Sequence, residues 1–231
     1  MLRPCGQVTR HLLSVIALSL VAGAAGAQDP VAVSPKNFKL ELENQWVRTL
    51  RLKEGARDKM PMHELSDSVI VYLTDAHEKF TGADGRVQET NHKAGEVSYT
   101  DAVRQTRENL SDAPLECVVV ELKPGAPMNG VAPAALDPMN VDPQHHAVLF
   151  ENDRVRALRT VLDPHLRGPM HAHPHYVVVY LTVLHTTMTL PDGRKVDNPR
   201  QPGDVAWRDP LQHITENIGE KTAVEIQIEL K

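Results

Sequence analysis

The chain has 231 residues, of which 41% are hydrophobic and 24% charged, with a formal net charge of −5. That balance argues against a basic nucleic-acid-binding domain and against a chain built of apolar membrane spans, and the length allows one large domain or two small ones. Aromatic residues are only 4%, so the core must rest on Val, Leu, Ile, Met and Ala, while 17 prolines and 13 glycines favour short elements joined by turns.

At the N-terminus Arg3 and Arg10 lead into an apolar run from Leu12 to Gly26 that is too short to span a bilayer comfortably. Ala25-Gly26-Ala27, followed by polar Gln28-Asp29-Pro30, has the small-x-small form of a cleavage site. The pattern predicts a secretory signal peptide over residues 1–27 and a periplasmic or secreted mature protein; an uncleaved anchor is the alternative. Cys5 lies ahead of the apolar run, where no lipid-attachment site falls. Cleavage removes two arginines and no acid, moving the formal charge from −5 to −7. No nucleic-acid partner is expected, and no membrane contact after signal removal. The mature chain keeps one cysteine, Cys117, inside the apolar Leu115-Glu116-Cys117-Val118-Val119-Val120, where it reads as a small hydrophobe, not a nucleophile.

The mature chain then repeats itself at an offset of 108 residues. Glu43-Asn44 matches Glu151-Asn152, and Pro61-Met62-His63 matches Pro169-Met170-His171. Tyr72-Leu73-Thr74 matches Tyr180-Leu181-Thr182, Asp84-Gly85-Arg86 matches Asp192-Gly193-Arg194, and Leu122-Lys123 matches Leu230-Lys231. This predicts two copies of one domain, at residues 28–123 and 144–231. Residues 124–143, rich in Pro, Ala and Gly, read as an extended connector.

Within the second copy the local signals are strands: Val155–Val161, Val177–Leu184, Thr186–Leu190, Gly203–Trp207 and Val224–Leu230. The last alternates cleanly, and Asp192-Gly193 between two runs is a hairpin signal. No segment sustains a 3.6-residue apolar period. Many short strands in about a hundred residues imply a sandwich or small barrel.

The chemistry is concentrated in Met170-His171-Ala172-His173-Pro174-His175-Tyr176. In an extended strand His171 and His173 share one face, with His175 a further candidate interrupted by Pro174. Imidazoles on one strand face suit a transition metal, and His213 follows behind Pro202-Gly203-Asp204. The competing reading is an inherited site whose imidazoles bond one another or water.

These residues resemble the cupin superfamily. Gly168-Pro169-Met170-His171-Ala172-His173 with Tyr180-Leu181 is similar to the family's first motif. Pro202-Gly203-Asp204, Pro210, His213 and Asn217 are similar to its second. The resemblance covers nearly the whole mature chain and implies an all-β fold of two tandem jelly-roll (double-stranded β-helix) barrels. It carries His171, His173 and His213 over as metal ligands. The glutamate that commonly completes the set would fall near Val177 or Val178, neither of which can ligate. The first copy has His63, Leu65 and Gln105 at the matching positions, and is expected to be a scaffold or a pocket for an apolar group.

Other residues carry weaker signals. His77 and His185 read as strand-face histidines. Met170, Met188, Tyr176 and Trp207 read as core or pocket wall. Arg156 and Arg159, with no acid visible nearby, read as solvated or as anion clamps, and Glu216 is a weak candidate base. No Ser-His-Asp order, phosphate loop or Cys-x-x-Cys pair occurs. The function expected is a metal-dependent enzyme acting on a small molecule, an oxygenase or isomerase or a hydrolase, using Fe, Mn, Zn, Ni or Cu. The alternative is a small-ligand binding or sensing module without turnover; storage or assembly work is the third possibility. Monomer and homo-oligomer are both compatible with the sequence.

Overall fold

A computed structural model describes residues 28–125, 130 and 132–231, so the expected signal peptide lies outside the described residues. The first barrel comprises β1 (Phe38–Glu43), β2 (Val47–Glu54), β3 (Lys59–Leu65), β4 (Ser68–Tyr72), β5 (Ala76–Gly82), β6 (Val87–His92), β7 (Val97–Thr100), β8 (Val103–Asn109) and β9 (Leu115–Leu122). The second comprises β10 (His146–Glu151), β11 (Val155–Leu162), β12 (His171–His173), β13 (Tyr176–Tyr180), β14 (Leu184–Thr189), β15 (Lys195–Arg200), β16 (Val205–Arg208), β17 (Leu211–Asn217) and β18 (Ala223–Leu230). No helix among the described residues is long and apolar enough to cross a membrane.

Each barrel is a five-stranded sheet facing a four-stranded one. The orders are β1-β2-β9-β4-β7 with β3-β8-β5-β6, then β10-β11-β18-β13-β16 with β12-β17-β14-β15. Every pairing is antiparallel, and the registers correspond at the 108-residue offset: Phe38 faces Leu52 as His146 faces Thr160, and His63 faces Gln105 as His171 faces His213. The run read as one strand from Val177 to Leu184 is broken between β13 and β14, where the chain leaves one sheet for the other. Asp192-Gly193 does turn β14 into β15, with Gly193 at φ +83°. The connector is less extended than its composition suggests. Ala134–Leu136 is a 3-10 turn and Pro138–Val141 a helical turn, whose N-cap Asp137 accepts from the Met139 amide. Pro30–Val33, capped by Asp29, is the same device ahead of β1.

The central strands β4 and β13 are buried along their whole length, so they read as unbroken apolar runs, not as alternation. One face looks into its own barrel; the other meets the opposite barrel. Val47, Val69, Val71, Val118, Val120 and Leu122 pack there against Val155, Val177, Val179, Ile226, Ile228 and Leu230. Full burial of each such side chain stabilises by about 1.5–3 kcal/mol, so this shared seam joins the barrels firmly. Tyr99 stacks on Phe150 at 5.2 Å across it, and Arg154 pairs with Asp67.

Candidate metal centre

His171 and His173 project into the second barrel from β12, and β17 runs beside it so that His213 is the register partner of His171. Alternation puts the two β12 histidines on one face, and the antiparallel register brings the third opposite them. All three are buried, and each offers a ligand nitrogen within 4.8 Å of the others. Ring centroids are 5.0 Å apart for His171–His173, 4.4 Å for His171–His213 and 5.5 Å for His173–His213.

The protons are placed by the neighbours. Nδ1–H of His171 donates to the Pro169 carbonyl at 3.0 Å, and Nδ1–H of His173 donates to Glu229 Oε1 at 2.7 Å. Both acceptors lack a proton to give, which fixes Nδ1 as the donor and leaves Nε2 with its lone pair. Nε2 of His173 and Nδ1 of His213 are buried without a partner. Burial pushes the pKa of all three below the ordinary imidazole value, His173 and His213 well below it, where repulsion from His171 and His146 adds to the effect. A buried set of neutral imidazoles with unpartnered nitrogens is the donor set a divalent transition metal takes.

Glu229 is the carboxylate that sequence reasoning missed. It lies on β18, and its other oxygen accepts from Arg156 Nε at 2.7 Å, while Arg156 Nη1 reaches Asp137 Oδ2 at 2.8 Å. Arg156 therefore has two acidic partners and is not a free anion clamp. Burial raises the Glu229 pKa, and the Arg156 hydrogen bond opposes that rise. Such a carboxylate behind a metal-ligating histidine orients the ring and raises its basicity. The strict alternation Glu225-Ile226-Gln227-Ile228-Glu229 was the available signal, since it puts polar residues on the face opposite the apolar seam.

His146, on β10, was also missed. Its Nδ1–H donates to the Asp142 carbonyl at 3.0 Å, its Nε2 is buried and unpartnered, and its ring meets that of His171 edge-on at 5.5 Å. It stands outside the tight set of three. Its equivalent, Phe38, meets His63 in nearly the same way, at 5.2 Å.

The remaining candidates sort themselves by strand face. His175 leaves the barrel at Pro174, stacks on Trp207 at 5.4 Å and lies near Trp46 and Asp209, so it does not join the cluster. Val178 faces the barrel interior with Tyr176 and Tyr180, whereas Val177 belongs to the seam. Tyr176 does wall the site, its ring 4.7 Å from His173. Trp207 packs at the seam, and Met188 is half-buried on β14. Arg159 lies beside Leu181 in a cleft between the barrels. Glu216 points away, 3.8 Å from Arg167. His77 and His185 sit on outer strand faces, bonded to Glu89 and Asp197.

In the first barrel His63 donates to the Pro61 carbonyl at 2.9 Å, but Leu65 and Gln105 replace the other two histidines. The interior of this barrel also holds buried charges. Arg107 is wholly buried between Glu54, at 3.0 Å, and Glu78. Cys117 is buried beside them, its thiol pushed up to about 12 by burial.

No family profile matches the chain, and no curated protein matches it. Solved structures do. Oxalate decarboxylase from Bacillus subtilis, described with Mn(II) centres, is similar over 84% of this chain and 75% of that one, with 13% identity and a TM-score of 0.57. AerE from Microcystis aeruginosa is similar over 84% of this chain and 97% of that one, with 11% identity and a TM-score of 0.56. A cupin domain from Bordetella pertussis Tohama I is 26% identical over 37% of this chain and 91% of that one, with a TM-score of 0.35.

Proposed function

We propose that this chain, which has the two-barrel cupin fold, holds one divalent metal ion on His171, His173 and His213 and presents it to a small molecule inside the second barrel. The observation that carries the reading is the set of three buried imidazoles whose mutual approach leaves ring nitrogens unpartnered. His146, its Nε2 unpartnered and its ring 5.5 Å from that of His171, offers a fourth nitrogen from β10 in place of the glutamate missing from β13. With neutral ligands a bound divalent ion keeps its full charge and polarises an oxygen-bearing substrate. The chain's own residues fix the ligand tautomers through Pro169 and Glu229, wall the site with Tyr176, and keep it dry.

Imidazole suits Fe, Mn, Zn, Ni and Cu, and the Mn(II) centres of the oxalate decarboxylase make manganese the first ion to try. Titrating the metal-free chain with Mn(II), Fe(II) and Zn(II) should give one site per chain, absent in His213→Ala. Oxygenase or isomerase chemistry is the active reading; O₂ uptake and product analysis with the loaded protein over a small-metabolite panel separate it from binding alone. A ligand-holding role without turnover is supported by Glu229, the carboxylate at the cluster, being committed to His173 and Arg156. We further propose that residues 1–27 export the protein to the periplasm or beyond, which N-terminal sequencing of the mature protein beginning at Gln28 would support. The 108-residue correspondence is read as a duplication in which only the second barrel keeps the site.

A further inference from the structure

The second barrel carries charged groups that its counterpart lacks, on the wall next to His213. In the first barrel a cavity of about 180 Å³ is lined by Tyr72, His92, Thr100 and Gln105, among others. Strand register equates these with Tyr180, Arg200, Arg208 and His213. Two cations thus stand, only in the barrel with the histidine cluster, where the other barrel has an imidazole and a hydroxyl. His92 stacks on Tyr72 at 4.1 Å; Arg200 takes that place, its Cζ 5.3 Å from the Tyr180 ring centroid. Arg208 Nη2 reaches Tyr180 Oη at 3.4 Å and Asn198 Oδ1 at 3.1 Å, so both guanidiniums converge on one tyrosine.

Neither guanidinium has a carboxylate within ion-pair distance among the described residues, although Arg51, Arg154 and Arg156 all do. Arg200 Nε is buried with no partner at all. The nearby acid, Glu225, accepts from Gln227 Nε2 at 2.7 Å, and both arginines favour its charged form without an ion-pair contact. One carboxylate for two half-buried guanidiniums leaves a net positive charge, which is unfavourable unless something brings a second anion. The planar fork of guanidinium matches a carboxylate through paired hydrogen bonds. We infer that Arg200 and Arg208 form a carboxylate-binding site beside His213, and that the small molecule held in the second barrel is a small carboxylate. This inference rests on the second barrel being the ligand-holding one, but not on a metal being present.

The test is calorimetric titration of the full chain, metal-free and metal-loaded, with malonate, succinate, neutral succinamide and inorganic phosphate. Saturable binding of a carboxylate with none of succinamide is expected. Arg200→His and Arg208→Thr, which install the first barrel's own side chains and so suit the fold, should each weaken it at least ten-fold. Arg208→Lys, which keeps charge and loses the fork, should weaken it several-fold. Arg194→Gln, which removes the same charge on the outer hairpin, should leave it unchanged. Carboxylate binding no tighter than succinamide, equal affinity in the arginine variants, or tighter binding of phosphate would each overturn the assignment. Metal content measured on the same samples separates the two readings, because arginine-dependent carboxylate binding in a protein that takes no metal keeps this site and removes the metal centre.

Discussion

His173 and Glu229 are joined by a 2.7 Å hydrogen bond inside the second barrel, while the equivalent residues of the first barrel, Leu65 and Glu121, have no such contact. Glu121 instead accepts from the Ser66 amide at 3.1 Å and pairs with Arg48, which also holds Asp29. The Asp–Arg–Glu chain is therefore common to both barrels, and it becomes a support for a ligand only where a histidine faces it. Glu229→Gln should keep the fold and lower metal affinity about ten-fold, since an amide polarises the imidazole less than a carboxylate. Competition against a chelator of known affinity measures this; unchanged affinity would reduce Glu229 to a structural partner of Arg156.

His146 occupies a phenylalanine's place. His146→Phe reproduces the first-barrel contact between Phe38 and His63 and so should fold normally. Loaded with Cu(II), the wild-type chain is expected to show one more coupled nitrogen by electron paramagnetic resonance than the variant, with metal affinity about ten-fold higher. Identical spectra would mean that the imidazole only packs.

The first barrel gives a prediction independent of metal. Glu54 is raised from 4.5 to about 7, first by burial, with Arg107 opposing and Glu78 adding to the rise. A folded-state value above the unfolded one means the native state holds more protons between about 4.5 and 7. Its contribution is then most favourable below 4.5 and is lost as pH rises through 7. Glu54→Gln should therefore stabilise the protein relative to wild type by about 1–3 kcal/mol more at pH 8 than at pH 5. Urea unfolding of both proteins at the two pH values checks the sign; a larger gain at pH 5 would contradict it.

Much of this was legible in the sequence because the determining signals are local. Strand alternation put His171 and His173 on one face, and the Asp-Gly hairpin, the short strands and the two motifs pointed to jelly-roll barrels. His213 was reachable through its motif. What was not legible depends on pairings far apart in the chain. Arg156 looked unpaired because its acids, Asp137 and Glu229, are 19 and 73 positions away. Glu216 was the nearest visible carboxylate, yet strand phase turns it outward toward Arg167. Glu229 and His146 belong to no motif, and only the closure of the barrel brings them to the cluster. His175 continued the alternation on paper, but Pro174 ends the strand and sends it to the seam beside Trp207.

The central claim is that His171, His173 and His213 hold a divalent ion, and metal analysis of the purified full chain tests it most directly. The account predicts one transition-metal ion per chain, lost in His171→Ala and His213→Ala and retained in His175→Ala. No stoichiometric metal after incubation with Mn(II), Fe(II) and Zn(II), or retention of the ion in His171→Ala and His213→Ala, would contradict it.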